Sequence, residues 1–333
     1  MPELAFVWAF LIALAVLLYV ALDGFDLGIG ILFPLLKDDT QRDVAMNSVA
    51  PVWDGNETWL ILGGGGLFAV FPLAYAVVMP ALYIPVMAML LALIFRGVAF
   101  EFRWKSRKRR WLWDISFFGG SLVAALCQGV TLGALVQGIA VEDRSYAGGI
   151  LDWLTPFSLF TGMALIAGYA LLGATWLVMK TEGGTRKRAV DFAWVAGIST
   201  YMLIAVTSLW TPFLEPVYFE RWFAVPGIWF ALPVPVLVAA TALVMARGLL
   251  RGSDRAPFLA AQALFVLCFV GLGISFWPMM IPPEITIVEA AAPESTLIFM
   301  LVGAAILLPV ILAYTAHAYW VFRGKVREGE GYH

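Results

Sequence analysis

Long apolar runs, separated by short stretches that are rich in charged residues or proline, recur along the whole chain. A bilayer core about 30 Å thick needs about 20 helical residues, so each run is long enough for one crossing. The pattern predicts an all-α polytopic membrane protein in which the whole chain, 1–333, forms one integral membrane domain. The nine predicted spans cover roughly residues 5–33, 55–73, 75–97, 114–138, 156–179, 191–212, 225–247, 257–277 and 296–322.

Basic residues are distributed very unequally between the two sides of these spans. Of the 21 lysines and arginines, only Arg144 and Arg221 fall on one side of the predicted membrane, and the other 19 fall on the opposite side. Short cytoplasmic loops of membrane proteins carry the excess of basic residues. The asymmetry therefore predicts an N-terminus outside and a C-terminus in the cytoplasm.

Composition narrows the class further. Hydrophobic residues make up 62% of the chain and charged residues only 13%, whereas soluble domains have about 25% charged residues. The net charge of -2 is close to balance and does not indicate a nucleic-acid partner. The first apolar run is too long for a signal peptide and follows no basic segment, so we interpret it as a retained span.

Four acidic residues lie inside or at the head of predicted spans. Asp23 and Asp26 are in the first span, and Asp54 and Glu57 begin the second. The spacing of three residues puts both carboxyls of each pair on one helix face. An ionised side chain at mid-membrane costs about 2.5 to 3.5 kcal/mol, so these acids need water or internal partners. The pattern favours a role in moving protons or ions over a simple helix end that contacts headgroups.

Further charged residues lie where the third predicted span ends and the fourth begins. Arg96 and Glu101 end the third span, and Asp114 opens the fourth. We expect them to pair across the short loop, either as a polar track from the cytoplasm or as ordinary interfacial ions. The basic run at residues 103–110 is interpreted as a topology signal that also binds anionic lipid headgroups.

Histidine is scarce, which bears on redox cofactors. The chain has only His317, in the last predicted span, and His333 at its end. A membrane haem or metal centre usually uses several imidazoles, or one imidazole with another axial ligand. If the protein serves redox chemistry, we expect the cofactors to lie in a partner subunit, with no metal or haem bound by this chain alone.

Several motifs together resemble subunit II of the cytochrome bd-type quinol oxidases. They are distributed over nearly the whole chain, at residues 22–28 (LDGFDLG), 47–59 (NSVAPVWDGNETW), 95–101 (FRGVAFE), 173–176 (GATW), 180–183 (KTEG) and 308–316 (LPVILAYTA). The segment 282–293 (PPEITIVEAAAP) is similar to the cyanide-insensitive branch of that family. Within it, Ile287, Val288 and Glu289 depart from the Leu-Trp-Asp of other members.

The resemblance implies a heterodimer in the bacterial cytoplasmic (inner) membrane. Subunit I would hold two b-type haems and a third haem, of d or b type, oxidise quinol and reduce oxygen to water. Subunit II would carry no haem and fold as two four-helix bundles plus one helix. The resemblance leaves open a quinone buried in this subunit as a structural lipid, and a small accessory subunit.

The resemblance also implies roles for individual residues. Trp53 and Asp54 would line a proton inlet, and our own reasoning adds Glu57 to them. Asp26, Arg96 and Asp114 would support haem incorporation or subunit contact. We group Asp23 and Glu101 with this second set because they share its segments.

Two other classes of function compete with the oxidase hypothesis. A proton-coupled solute transporter would use the same acids as a coupling site, but it would favour inverted repeats and interrupted helices around a midplane pocket. No fixed-period repeat occurs, and the acids lie at one end of two spans. A purely structural membrane scaffold would not need four acids in apolar segments.

Overall fold

The computed structural model describes residues 2–106, 108–327 and 329, so Arg107 and His333 lie outside the described residues. Nearly all of the described chain is helical. The helices are α1 (Pro2–Leu32), α2 (Asp39–Asn47), α3 (Trp53–Val70), α4 (Pro72–Ala81), α5 (Tyr83–Lys105), α6 (Arg110–Gln137), α7 (Pro156–Lys180), α8 (Gly183–Trp210), α9 (Pro216–Phe223), α10 (Ile228–Ala231), α11 (Pro233–Leu250), α12 (Ala256–Phe276), α13 (Ile287–Ala290) and α14 (Glu294–Val321). Two antiparallel hairpins complete the described fold, β1 (Val141–Glu142) with β2 (Ser145–Tyr146), and β3 (Met279–Ile281) with β4 (Ile285–Thr286).

Eight of the described helices are long and apolar enough to cross a membrane, and a ninth span exists if the bent pair α3 and α4 is counted as one. This confirms a polytopic helical membrane protein. The predicted break at residue 74 lies close to the bend of 119° between Val70 and Pro72. The predicted start of the third span at residue 75 is wrong, because the short helix α4 (Pro72–Ala81) intervenes and the next span begins at Tyr83. Pro72 lacks a backbone N–H and starts a new helix at its first position. Hydrophobicity alone does not separate α4 from the span that follows it.

The first and seventh helices cross with their backbones in contact. Gly28 on α1 faces Gly173 on α7, and a Cβ built on Gly28 would lie 1.8 Å from the carbonyl oxygen of Tyr169. Small residues permit this approach in membrane helices, where van der Waals packing and hydrogen bonds replace the hydrophobic effect. This contact fixes the position of α1, which carries two of the predicted acids.

Burial is concentrated in one part of the helix assembly. The helix α7 is the most buried candidate span, and α14 is the least buried, with only 6% of its apolar window covered within the chain. The buried apolar side chains of the largest core cluster come mainly from α7, α5, α1 and α12. The exposed faces of α14 and α11 are apolar and therefore suited to lipid or to another membrane subunit.

The segment after α14 folds back across the ends of three other helices. The ammonium group of Lys180 donates hydrogen bonds to the carbonyl oxygens of Phe322 and Gly324, at 2.5 and 2.6 Å. Lys325 pairs with Asp254 in the α11–α12 connection at 2.7 Å. These bonds anchor the end of a helix that has little packing of its own.

The tail contact should depend on pH. Hydrogen bonds from Lys325 and Arg186 hold the pKa of Asp254 below its usual value. A carboxyl whose pKa is lowered by folding stabilises the contact above its ordinary pKa and loses that effect as pH falls through the lowered value. We expect hydrogen exchange of residues 322–327, corrected for the intrinsic rate, to accelerate on acidification.

The variant Asp254→Asn should show the same faster exchange already at neutral pH, with no further acceleration in acid. Asp191→Asn, an exposed acid on α8, serves as the control and should keep the wild-type profile. Equal exchange in wild type and Asp254→Asn at neutral pH would contradict the expectation.

Candidate functional site

Four of the predicted residues form one buried cluster between α1, α3 and α5. The guanidinium of Arg96 donates to Asp23 at 2.6 Å and to Glu57 at 3.0 Å. Asp23, Asp26 and Arg96 are fully buried, and the Glu57 side chain is 26% exposed. Buried ion pairs of this kind need good geometry, because several kcal/mol of solvation are lost per ion. Asp23 of the first span and Glu57 of the second therefore share one cation.

Aromatic and small residues shape the space around this cation. Trp53 stacks on Phe100 with ring centroids 4.7 Å apart and lies 6.0 Å from the Arg96 guanidinium carbon. A Cβ on Gly120 of α6 would lie 2.9 Å from the Arg96 backbone nitrogen, so only glycine permits α6 to pack this closely against α5. The predicted inlet residue Trp53 thus contacts the cluster directly.

Two residues that the sequence reasoning missed complete the surroundings of Asp26. The Asn56 amide donates to Asp26 at 2.7 Å, and the Tyr319 hydroxyl donates to the Asn56 carbonyl at 2.8 Å. Asn56 lies between Asp54 and Glu57 in the sequence, so its position on the same helix turn was a usable signal. Tyr319 comes from α14, which only the tertiary structure brings here.

A second chain of polar side chains reaches the cluster from α6 and α7. Tyr169 donates to the Gln128 carbonyl at 2.7 Å, and the Gln128 amide donates to the Tyr19 hydroxyl at 2.7 Å. Tyr19 in turn interacts with Asp23. Tyr19 precedes Asp23 by four residues, and this helical spacing would have identified it, whereas the other two residues come from α6 and α7.

A separate group of charges joins α2 to the adjacent ends of α5 and α6. Arg103 is fully buried and contacts Asp43 and Asp114, the latter at 2.6 Å. Arg42 also reaches Asp114, at 3.4 Å. The interpretation of residues 103–110 as a lipid-facing basic run is therefore wrong for Arg103, whose charge is satisfied by carboxylates inside the protein.

The remaining predicted residues lie outside the buried cluster. Asp54 is exposed in the first turn of α3. Glu101 is exposed and pairs with Lys105 at 3.5 Å, and Asp114 pairs with Arg103. The expected pairing of Arg96 with Glu101 or Asp114 is wrong, because Arg96 lies deeper along α5 and faces the acids of α1 and α3.

The exposed end of α3 is linked to the buried charges through side-chain contacts. Asp54 and Glu57 are one helical turn apart on α3, and Glu57 connects through Arg96 to the buried Asp23. Within the part of the chain that the structure describes, no group of three or more His, Cys, Asp or Glu side chains is arranged to bind a metal ion. His317 lies beside Trp320, with ring centroids 6.0 Å apart.

Comparison with known proteins gives consistent matches over almost the entire chain. The family model described as cytochrome bd terminal oxidase subunit II matches residues 4–322. Cytochrome bd-I ubiquinol oxidase subunit 2 of Escherichia coli is 32% identical, with 97% of this chain and 95% of that protein covered. Cytochrome bd ubiquinol oxidase subunit 2 of Bacillus subtilis is 29% identical, with 99% of each chain covered.

A solved structure has a similar fold. It is the bd oxidase of Geobacillus thermodenitrificans, and one of its chains aligns with a TM-score of 0.77 and 16% sequence identity. The alignment covers 97% of this chain and 100% of that chain. At this identity the similarity concerns the fold alone.

Proposed function

Because the chain belongs to the cytochrome bd terminal oxidase subunit II family, we propose that it is the haem-free subunit that supports quinol oxidation and oxygen reduction and lines part of the proton inlet. The chain is a subunit of a respiratory quinol oxidase and a multi-pass protein of the bacterial inner membrane. The match of the family model over residues 4–322 carries this conclusion.

We infer the membrane arrangement from packing and charge. The pairings of α1 with α3 and α6, and of α5 with α6, support one four-helix bundle made of α1, α3, α5 and α6. The pairings of α7 with α8 and α12, and of α11 with α12, support a second bundle, with α14 as the ninth helix and 1–333 as one membrane domain. The 19 basic residues on one side support an external N-terminus and a cytoplasmic C-terminus.

The proposed proton inlet starts at the exposed Asp54 and ends at the buried acids beside Arg96. Oxygen reduction consumes four protons per oxygen molecule, and protons need water or ionisable groups to cross an apolar region. Asp54 is exposed, Glu57 is partly exposed one turn away, and Trp53 lies between this helix end and Arg96. This gradient of exposure from α3 inward supports a water-filled seam between this chain and its partner subunit.

The other polar residues are proposed to support assembly. The pair of Asp23 and Arg96 holds α1 to α5, and Asp26 joins α1 to Asn56 of α3, while Asp114 ties α6 to Arg103 of α5. Glu101 lies on the exposed side of α5 next to them. We propose that the geometry of these residues sets the surface on which the haem-bearing subunit assembles.

We place the cofactors in the partner. Subunit I would bind two b-type haems and a third haem, of d or b type, while this chain binds none alone. In this proposal quinol and oxygen are the substrates of the complex, and lipid surrounds it. A structural quinone and a small accessory subunit remain part of the proposal for the assembled complex.

The inlet is tested by replacing Asp54 with asparagine. We expect oxygen consumption to fall by roughly tenfold or more, because a side-chain amide, unlike a carboxylate, does not take up and release a proton near neutral pH. Haem content should survive, since Asp54 is exposed and makes no ion pair within the described part of the chain. Oxygen uptake and reduced-minus-oxidised spectra should be measured on membranes with matched expression.

The control Glu142→Gln changes an exposed acid in the β1–β2 hairpin, away from the inlet, and should keep wild-type turnover. Full turnover by Asp54→Asn would remove the inlet from the proposal. The transporter hypothesis is not favoured by the family match, and a colourless single-chain preparation that takes up solute would be needed to restore it.

A further inference from the structure

The buried cluster contains more acids than cations. Asp23 and Asp26 come from α1, Glu57 from α3 and Arg96 from α5, so the cluster has three carboxyls and one guanidinium. Tyr319 of α14 also lies near Asp26, to which it is linked through Asn56. If all three carboxyls were ionised, the cluster would carry a net charge of -2 inside the membrane.

Arg96 does not reach all three acids. Its two terminal nitrogens bond Asp23 and Glu57, at 2.6 and 3.0 Å. Asp26 is fully buried, but its hydrogen bond comes from the neutral amide of Asn56. Among the described residues, the Asp26 Oδ1 atom has no hydrogen-bond partner. Asp26 is therefore the acid of the cluster that receives no cation.

The orientation of Asn56 makes this environment specific. The Tyr319 hydroxyl donates to the Asn56 carbonyl oxygen, which turns the amide nitrogen toward Asp26 Oδ2. The second Asp26 oxygen is left for a proton, and the Asp23 Oδ2 atom, on the same face of α1, is a buried acceptor that also has no partner among the described residues. A buried carboxylate without a cation neutralises by taking up a proton.

We propose that Asp26 is a neutral carboxylic acid that stores one proton at the inner end of the inlet, and that Asn56 and Tyr319 are its positioning residues. The use of this proton in turnover rests on the proposed inlet function. The protonated state itself rests only on the geometry of Asp23, Asp26, Asn56 and Arg96.

Replacing each aspartate by asparagine tests whether Asp26 is neutral and Asp23 is ionised. Asp26→Asn replaces a neutral group by a neutral group of the same shape, so we expect haem content of the purified complex within about twofold of wild type. Asp23→Asn removes an ionised partner of Arg96 and should lose most of the haem. Equal loss in both variants, or greater loss in Asp26→Asn, would show that Asp26 is ionised and would overturn the proposal.

Infrared spectroscopy reports the protonation of Asp26 directly, and this signal does not depend on how much of the complex assembles. H₂O-minus-D₂O spectra of the purified oxidase, exchanged during turnover, should contain a carboxylic acid C=O band that is absent from Asp26→Asn. The band should persist at a shifted frequency in Tyr319→Phe, because Asn56 then loses its orienting donor. Absence of any difference between wild type and Asp26→Asn in this band would refute a protonated Asp26.

The inlet function and the protonated state of Asp26 can be tested separately. Asp54→Asn should keep the Asp26 band. Normal turnover in that variant would therefore refute the inlet but would leave the protonated state of Asp26 unaffected.

A monovalent cation is the competing occupant of the cluster. If added Na⁺ raised the thermal stability of the wild-type complex but not of Asp26→Asn, the site would hold a cation and the proposal would fail.

Discussion

Replacing Arg96 with leucine is expected to remove most of the haem-containing oxidase from membranes. The substitution takes away the one cation that bonds both Asp23 and Glu57 and leaves these carboxyls inside the membrane without a partner. Breaking a buried ion pair by removing one member costs about 3 to 5 kcal/mol. That loss is a large fraction of the stability of a typical domain, about 5 to 15 kcal/mol.

The measurement is the reduced-minus-oxidised haem spectrum, together with the amount of this chain in the membrane. Lys105→Gln on the same helix is the matched control. Both side chains of its pair with Glu101 are exposed, and such pairs contribute little to stability. Arg96→Lys should give an intermediate result, since one ammonium cannot reproduce the two-pronged contact. Wild-type haem content in Arg96→Leu would contradict a structural role for this cluster.

Replacing Gly28 with alanine should have the second large effect. The new methyl group would lie 1.8 Å from the Tyr169 carbonyl oxygen and 2.8 Å from the Gly173 nitrogen, both backbone atoms of α7. Backbone atoms cannot move aside as a flexible side chain can, so the two helices must separate. Overpacking of a close contact costs about 1 to 3 kcal/mol and sometimes more.

We expect a lower yield of the complex and a clearly lower unfolding temperature in detergent. Gly119→Ala is the control, because a Cβ at this position of α6 meets no atom within 4 Å. The α1–α7 contact also positions Asp23 and Asp26, so the variant should lose haem along with stability. Unchanged stability would mean that α1 and α7 are not in backbone contact in the assembled protein.

The pattern of apolar runs was sufficient to predict the class of protein and most of its spans. The predicted spans at 114–138 and 156–179 differ from α6 and α7 by only a few residues. Spans are predictable because the bilayer requires about 20 apolar helical residues at each crossing. The short helix α4 was not predicted as a separate element, since residues 72–81 are apolar like the spans beside them.

The sequence by itself determined that several acids lie in apolar segments and need internal partners. It could not determine which cation serves which acid, because Asp23, Glu57 and Arg96 are 34 and 39 residues apart along the chain and lie on three helices. Glycines at the α1–α7 and α5–α6 contacts decide which helix faces meet. Local spacing places side chains on one helix face, whereas only the packing of faces against each other decides charge pairing and burial.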